Sequence, residues 1–137
     1  MLHKLTTVLF ILLGSAALTG CGPAEETTVT GTVTYLQRIA LPPDALMTVQ
    51  IEDVSLADAP AEVIGEQVIA TDGAQVPIPF EVPYDTGEIE ENHNYSLRVR
   101  IEDGNGNLLF INDTNVPVIS GGNPTQDIEV IVVPVGG

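Results

Sequence analysis

The sequence predicts one all-β domain, an antiparallel β-sandwich of about seven strands that is immunoglobulin-like in size and follows an N-terminal signal segment. From residue 27 onward, apolar and polar residues alternate with a period of two, which is typical of half-buried strands. Clusters of Gly, Pro, Asn and Asp separate the alternating runs at short intervals and predict turns. We therefore expect the sandwich to occupy residues 28–135.

The predicted strands follow one another along the chain. In the first, Val29, Gly31 and Val33 share one face, whereas threonines occupy the other face. The clearest alternation lies in residues 95–102, where apolar residues alternate with polar and charged ones. The complete set of runs is 29–35, 47–52, 66–70, 76–83, 95–102, 108–111 and 128–132.

The run 76–83 contains three prolines, Pro77, Pro79 and Pro83, all at odd-numbered positions. Because proline has no N–H and all three have the same parity, one edge of this strand can pair while the other cannot. The sequence thus predicts an edge strand whose inward side chains are Ile78, Phe80 and Val82. The alternative, a polyproline ligand for a partner, would leave these apolar residues unused.

The first 20 residues differ in composition from the rest and predict a signal peptide. Lys4 precedes the apolar run 8–13, and small residues follow it. The segment ends in Leu18-Thr19-Gly20-Cys21, which resembles the bacterial lipobox. We expect removal of residues 1–20, lipid attachment to Cys21 and a short tether over residues 21–27. The alternatives are an ordinary secretory signal and a membrane anchor, but the apolar run is shorter than the ~20 residues that a span needs.

Lipidation at Cys21 would hold the domain at a membrane. Each buried methylene contributes about 0.8 kcal/mol, so several acyl chains anchor far more strongly than one. Residue 22 is Gly rather than the Asp that marks inner-membrane retention in many lipoproteins of Gram-negative bacteria. This resemblance predicts the periplasmic face of the outer membrane.

The charge balance excludes several classes of function. The chain has 19 acidic residues against four basic ones and a formal net charge of -15. Such a surface repels phosphate backbones and anionic headgroups, so we expect no nucleic-acid binding and no electrostatic membrane docking. Since Cys21 is the one cysteine, neither an internal disulfide nor a multi-thiolate metal site can form.

No pattern in the sequence predicts a catalytic, cofactor or metal site. A Ser-His-Asp arrangement would have to use His93, which we interpret as an exposed loop histidine. We interpret the carboxylates as a solvated acidic face, because a sugar-cleaving cleft usually contains aromatic residues and this chain has no Trp. These carboxylates are Glu88, Glu90, Glu91 and the pairs Glu52-Asp53 and Glu102-Asp103.

The run Asp103-Gly104-Asn105-Gly106-Asn107 resembles part of a calcium loop. An EF-hand requires Gly at its sixth position and Glu at its twelfth, where this chain has Leu108 and Thr114. Between two predicted strands, Asn105-Gly106 is better interpreted as a hairpin turn.

Several segments together resemble the YbaY/YscW family of bacterial lipoproteins. They include the lipobox, Val29-Thr30-Gly31-Thr32-Val33, Leu41-Pro42-Pro43-Asp44-Ala45, the stretch 49–60 that ends in Asp58-Ala59-Pro60, Pro79-Phe80, Tyr95, and Leu109-Phe110-Ile111-Asn112-Asp113. The resemblance implies a β-sandwich with an apolar groove for a partner segment. It also implies a function like that of pilotins, which escort a secretin subunit to the outer membrane and help its ring to assemble.

Three hypotheses follow for the function. The first is a non-enzymatic, outer-membrane-anchored binding or chaperone module for an envelope protein such as a secretin, attached to the membrane through the lipid on Cys21. The second is an envelope enzyme or inhibitor that acts on cell-wall material and uses His93 or the clustered acids. The third is a structural envelope lipoprotein without a dedicated ligand.

Overall fold

A computed structural model of the chain describes residues 26–136, which fold as a two-sheet β-sandwich. The predicted all-β sandwich is thereby confirmed, with nine strands instead of about seven. The strands are β1 Glu26–Thr34, β2 Leu46–Asp53, β3 Glu62–Ala70, β4 Ile78–Asp85, β5 Tyr95–Glu102, β6 Leu108–Ile111, β7 Pro117–Val118, β8 Ile128–Ile131 and β9 Val133–Pro134. The two extra strands, β7 and β9, are two residues long, which is too short for an alternating pattern to reveal. The predicted signal peptide 1–20 and Cys21 lie outside the described residues.

The strands form a small sheet and a large one. The small sheet has the order β4-β1-β8, and the large sheet has the order β3-β2-β5-β6-β9 with β7 beside β5. The pair β1–β8 is parallel, with Val33 opposite Val130, whereas the sequence predicted antiparallel strands throughout. Alternation identifies the buried face of a strand but carries no information on its direction, so the sequence pattern could not reveal this pairing.

The hydrophobic core lies between the two sheets and consists of the inward-facing residues of the alternating runs. The rings of Tyr35 and Phe110 stack within it at a centroid distance of 4.4 Å. The largest of the fully buried side chains are Tyr95, Met47, Ile51, Ile101, Val29, Val33, Val49, Val82, Val99, Val118, Val130 and Val132. In the first and fifth strands, the apolar face of the alternating pattern is therefore the buried face.

Strand β4 lies at the edge of the small sheet, as its prolines predicted, and its inward residues Ile78, Phe80 and Val82 are buried. The N–H of Glu81 points away from β1 and donates to Oε1 of Gln67 on β3, at 2.7 Å. The prolines at positions 79 and 83 have the same parity as Glu81, so they offer no further donors on this side. The free edge of β4 is thus closed to another strand.

Strands β3 and β4 also approach each other closely at Gly65. A Cβ atom at this position would lie 2.5 Å from the backbone oxygen of Pro83. Only a residue without a side chain allows such an approach. The two sheets therefore close against each other along the β3–β4 side of the sandwich.

Strand β1 is the central strand of the small sheet, and Gly31 is its inward-facing glycine. A Cβ atom added at Gly31 would overlap the backbone oxygen of Ile128 on β8 and would lie 2.7 Å from Cζ of Phe80 on β4. Since one of these neighbours is backbone, it cannot move aside by a change of rotamer. Gly31 thus permits β4 and β8 to flank β1 while their side chains fill the core.

Substitution of Gly31 tests this packing. We expect Gly31→Ala to lower the free energy of unfolding by about 1–3 kcal/mol, because the methyl group forces a backbone shift in a close-packed core. Urea titration followed by circular dichroism measures the change. Thr27→Ala, at an exposed position of the same strand, is the control and should change stability by less than about 0.5 kcal/mol. Equal stability of the two variants would contradict the proposed role of Gly31.

Candidate functional site

Strand β8 has an open edge on the side away from β1. The N–H of Val132 donates to the backbone oxygen of Thr34 at 2.9 Å, which fixes the even-numbered residues of this segment as those that face β1. In a strand, the backbone groups of successive residues point to opposite sides, so those of Glu129 and Ile131 point away from β1. Within residues 26–136, no strand or side chain pairs with these groups.

An apolar groove of about 540 Å³ lies along this open edge, between β8 and β7. The side chain of Ile131 is 42% exposed there. Carboxylates of Asp113 and Glu129 lie at the rim. The other lining residues are the polar Thr114 and Asn115 and the apolar Val116, Pro117, Pro124, Ile128, Ile131 and Val133.

The β7 wall of the groove is held in place by Asn112, which follows β6. Its Oδ1 accepts a hydrogen bond from the N–H of Val99 at 2.8 Å, and its Nδ2 donates to the backbone oxygen of Leu97 at 3.0 Å. The N–H of Leu97 in turn donates to the backbone oxygen of Val116 at 3.0 Å. The segment from Asn112 to Val116, between β6 and β7, is therefore attached to β5 by both side-chain and backbone hydrogen bonds.

The β8 wall begins at Asp127, which has a positive φ of 56°. The N–H of Asp127 donates to Oγ1 of Thr30 at 3.3 Å, and the N–H of Thr30 donates to the backbone oxygen of Thr125 at 3.0 Å. These bonds bring the chain alongside β1 just before β8. Both walls of the groove are thus held by the sandwich itself, so the groove is formed before any partner binds.

A larger depression of about 710 Å³ lies on the outer face of the small sheet. Thr30 and Thr32 lie at its floor, and Glu81, Asp127 and Glu129 contribute carboxylates. It lacks the mainly apolar lining of the groove beside β8. We therefore regard the groove beside β8 as the candidate site.

His93 lies between two carboxylates in the loop that connects β4 and β5. Its Nδ1 is 2.5 Å from Oδ2 of Asp53, and its Nε2 is 2.6 Å from Oε2 of Glu90. The hydrogen bond to Asp53 is the main factor that raises the pKa of His93, and the charges of Asp53, Glu90 and Glu62 add to it against the opposing effect of desolvation. His93 lies in a loop, as predicted, and its side chain is 35% exposed, but both of its ring nitrogens are held by carboxylates.

The hydroxyl of Ser55, which shares Asp53 with this histidine, does not form a Ser-His-Asp arrangement. Oγ of Ser55 donates to Oδ1 of Asp53 at 2.6 Å and accepts from the N–H of Asn94 at 2.8 Å. Ser55 therefore contacts the carboxylate instead of the imidazole. Burial tends to raise the pKa of Asp53, but the hydrogen bonds from Ser55 and His93 outweigh it and lower that pKa. The network joins the end of β2 to the loop before β5.

The remaining carboxylate pairs have separate roles. Glu52 is buried and accepts from Nε of Arg98 at 2.9 Å, so the interpretation of this residue as part of a solvated face is wrong. Glu102, which is partly exposed, forms an ion pair with Nε of Arg100 at 2.9 Å. The structure therefore brings neither acid into a cleft with His93.

The segment 103–107 forms the predicted hairpin turn between β5 and β6. Oδ1 of Asp103 accepts from the N–H groups of Asn105 and Asn107, each at 2.9 Å, and Gly106 has a φ of 82°. The hydrogen bonds from Asn107 are the main reason that the pKa of Asp103 is lowered. The carboxylate of Asp103 thus stabilises the turn.

None of the helices in the described part of the chain, residues 26–136, has the length and hydrophobicity of a membrane span. The same part of the chain contains no group of three or more His, Cys, Asp or Glu side chains arranged to hold a metal ion. The predicted lipid attachment site, Cys21, lies outside it.

Sequence reasoning did not find the groove residues individually. Val116, Pro117 and Pro124 lie in a segment without alternation, and Ile131 alternates as any strand residue does. The exposed edge of β8 depends on which strands are neighbours, and that information is absent from a local pattern. The resemblance did imply an apolar groove, but it assigned no residues to it.

An open strand edge beside an apolar groove defines a β-sandwich that is suited to take up a segment of another protein. The comparisons agree with this class. Residues 24–130 match the family model described as "Type III secretion system lipoprotein chaperone (YscW)". The chain belongs to this family.

Two similar proteins are informative. The Escherichia coli K12 protein described as uncharacterized lipoprotein YbaY is 38% identical over 109 residues, or 80% of this chain. The match spans 57% of the length of that relative. A solved structure of an alternative pilotin from the type II secretion system of Vibrio cholerae is 43% identical, with a TM-score of 0.78. The match covers 82% of this chain and 100% of the pilotin chain.

The His93 network predicts a pH-dependent contribution to stability. Because the folded-state pKa of His93 is raised above about 6.5, the contribution is full below that pH and is lost as the pH rises through the folded-state value. We expect the difference in unfolding free energy between wild type and His93→Gln to be larger near pH 5.5 than near pH 8.5. Urea titrations at both pH values measure it.

The control for this measurement is Asn92→Ala, which alters an exposed neighbour in the same loop. Its effect on stability should not change between the two pH values. A pH-independent effect of His93→Gln would show that the bonds to Asp53 and Glu90 do not favour the protonated imidazole.

Proposed function

We propose that this protein is a pilotin-like lipoprotein, a non-enzymatic module that binds a secretin subunit and delivers it to the outer membrane. The observation that carries the proposal is the preformed apolar groove beside the open edge of β8, on a sandwich similar to that of a pilotin. The family description, a lipoprotein chaperone of a secretion system, supports the same function.

The groove has the properties that a chaperone site needs. Its apolar lining contributes roughly 25 cal/mol for each Å² of apolar surface that a partner removes from water. The walls are fixed by Asn112 and Thr30, so little ordering is needed on binding. The exposed side chain of Ile131 can contact a partner, because the sandwich itself does not bury it.

The membrane anchor in this proposal is a lipid on Cys21. The lipobox resemblance of Leu18-Thr19-Gly20-Cys21 and the lipoprotein description of the relative support it. Gly22 favours the outer membrane, with the domain on the periplasmic face. The segment between Cys21 and β1 is at most about 20 Å long, so a bound client would be held close to the bilayer.

Deletion of the gene in the host bacterium tests the proposal. We expect the secretin to be lost from the outer-membrane fraction and its multimers to decrease strongly, because the subunit then has no lipid-anchored carrier. Wild type should restore the multimers, and Cys21→Ser should not. Immunoblots of fractionated membranes provide the measurement, and normal multimers in the deletion strain would refute the proposal.

A groove variant separates anchoring from binding. Ile131→Asp should fail to restore the multimers, because it places a charge in the apolar groove. The matched control is Val68→Asp on β3, since Val68 is also exposed in a strand (56%) but lies away from the groove. Restoration by both variants would contradict the assignment of the groove as the client site.

A further inference from the structure

The loop between β2 and β3, residues 54–61, is mostly apolar, although it belongs to a strongly acidic chain. Six of its eight residues are Val, Leu, Ala or Pro, and it carries a single charge, on Asp58. We propose that this loop enters the phospholipid leaflet that holds the lipid on Cys21, with Leu56 reaching the boundary of the acyl chains. The inference rests on the lipid anchor of the proposed function and concerns a surface separate from the groove beside β8.

The large aliphatic side chains of this segment are uncovered. Leu56 is 71% exposed, and Val54 and Val63, on either side of it, are exposed as well. Single exposed leucines are common on protein surfaces, whereas three exposed large aliphatic residues within ten positions concentrate apolar surface at one place. Removal of this surface from water is favourable, so the loop is suited to an apolar surrounding.

The loop lies at the end of the sandwich where β4 ends. Gly65 of β3 approaches the backbone oxygen of Pro83, and the side chain of Gln67 accepts from the N–H of Glu81. In these two contacts the residue number rises along β3 and falls along β4, so the two strands run in opposite directions. Strand β3, which directly follows the loop, therefore begins beside the end of β4.

Strand β1 enters the sandwich at this same end. Its first residue, Glu26, pairs with Asp85, the last residue of β4. Cys21 lies five residues before Glu26, so the anchor is at most about 20 Å away along the chain. Because the anchor already holds the domain at the bilayer, entry of the loop is an intramolecular step, and a small apolar contact is enough to orient the domain.

Hydrogen bonds fix the start of the loop to the sandwich. Oδ1 of Asp53 accepts from both the N–H and the hydroxyl of Ser55. Oγ of Ser55 accepts from the N–H of Asn94, and the N–H of Val54 donates to the backbone oxygen of Asn94 at 2.9 Å. The residues before Leu56 are thus held by the loop before β5, so little ordering is needed when Leu56 leaves water.

Carboxylates around the loop favour one kind of leaflet. Glu62 directly follows the loop, and Glu88, Glu90 and Glu91 are exposed in the neighbouring loop before β5. Neither loop contains Lys or Arg. Anionic headgroups are repelled by these charges, whereas zwitterionic headgroups are not. The occupant is therefore a leaflet rich in zwitterionic phospholipid, which the loop enters through its apolar side chains rather than by charge.

The lipidated protein in phosphatidylcholine vesicles is the sample for the test. Because Cys21 carries the lipid and the chain has no other cysteine, Leu56→Cys supplies a single thiol for an environment-sensitive dye. Nitroxide groups on the lipid acyl chains should reduce the emission of a dye at position 56 about threefold, since apolar interfacial segments reach ~5–10 Å into a leaflet. Replacement of part of the phosphatidylcholine by phosphatidylglycerol should weaken this quenching.

Two matched variants serve as controls. Leu36→Cys places the same dye in an exposed loop at the opposite end of β1, where Leu36 is 78% exposed, and quenching there should be negligible. Glu91→Cys places it in the neighbouring loop at the same end as Leu56, where the quenching should lie between the other two values. Stronger quenching at position 91 than at position 56 would overturn the role of Leu56.

The possible outcomes separate this inference from the proposed function. Equal quenching at positions 56 and 36 overturns the inference, because neither end then faces the leaflet. Shielding of position 56 that occurs only when the secretin is added overturns it too, because the occupant is then a protein. Both results leave the pilotin-like function standing, since the secretin multimers in the deletion strain test that function. Absence of an acyl chain on Cys21 in the mass spectrum refutes the anchor and this inference, whereas binding of the client in the groove is unaffected.

Discussion

The unpaired backbone groups at the edges of the two sheets are the constraint on which this structure depends. An open edge invites pairing with another chain, so a sandwich must close it, block it or use it. On one side, Gly65 brings β3 against β4, and Gln67 bonds to the outward N–H of Glu81. On the other side, the chain passes at Val132 from β8 in the small sheet to β9 in the large sheet. The outward backbone groups of Glu129 and Ile131 nevertheless remain available to a partner.

The available edge is the side of β8 that faces away from β1. Gly31 lets the Ile128 backbone approach β1 without a steric overlap, while the even-numbered residues of β8 bond toward that strand. The same register exposes the groups of Glu129 and Ile131 beside the apolar groove. One glycine in the first strand therefore contributes both to the core and to the position of the candidate site.

Local patterns predicted much of the fold. Alternation identified the inward faces, and the parity of Pro79 and Pro83 placed β4 at an edge, because both features depend on neighbouring residues in the chain. The parallel pairing of β8 and the bond between His93 and Asp53 were not predictable, since they join residues that are far apart in sequence. The groove was not predictable for the same reason, because its two walls come from segments that lie side by side only in the folded sandwich.

The central claim is that one edge of the sandwich is chemically blocked and the other is open to a client. Residue-resolved amide hydrogen exchange of the free protein tests it most directly. Glu129 and Ile131 should exchange much faster than Ile128 and Val130, whereas Glu81 should be protected by its bond to Gln67. Protection of Glu129 and Ile131 equal to that of their neighbours in the free, monomeric protein would contradict the claim.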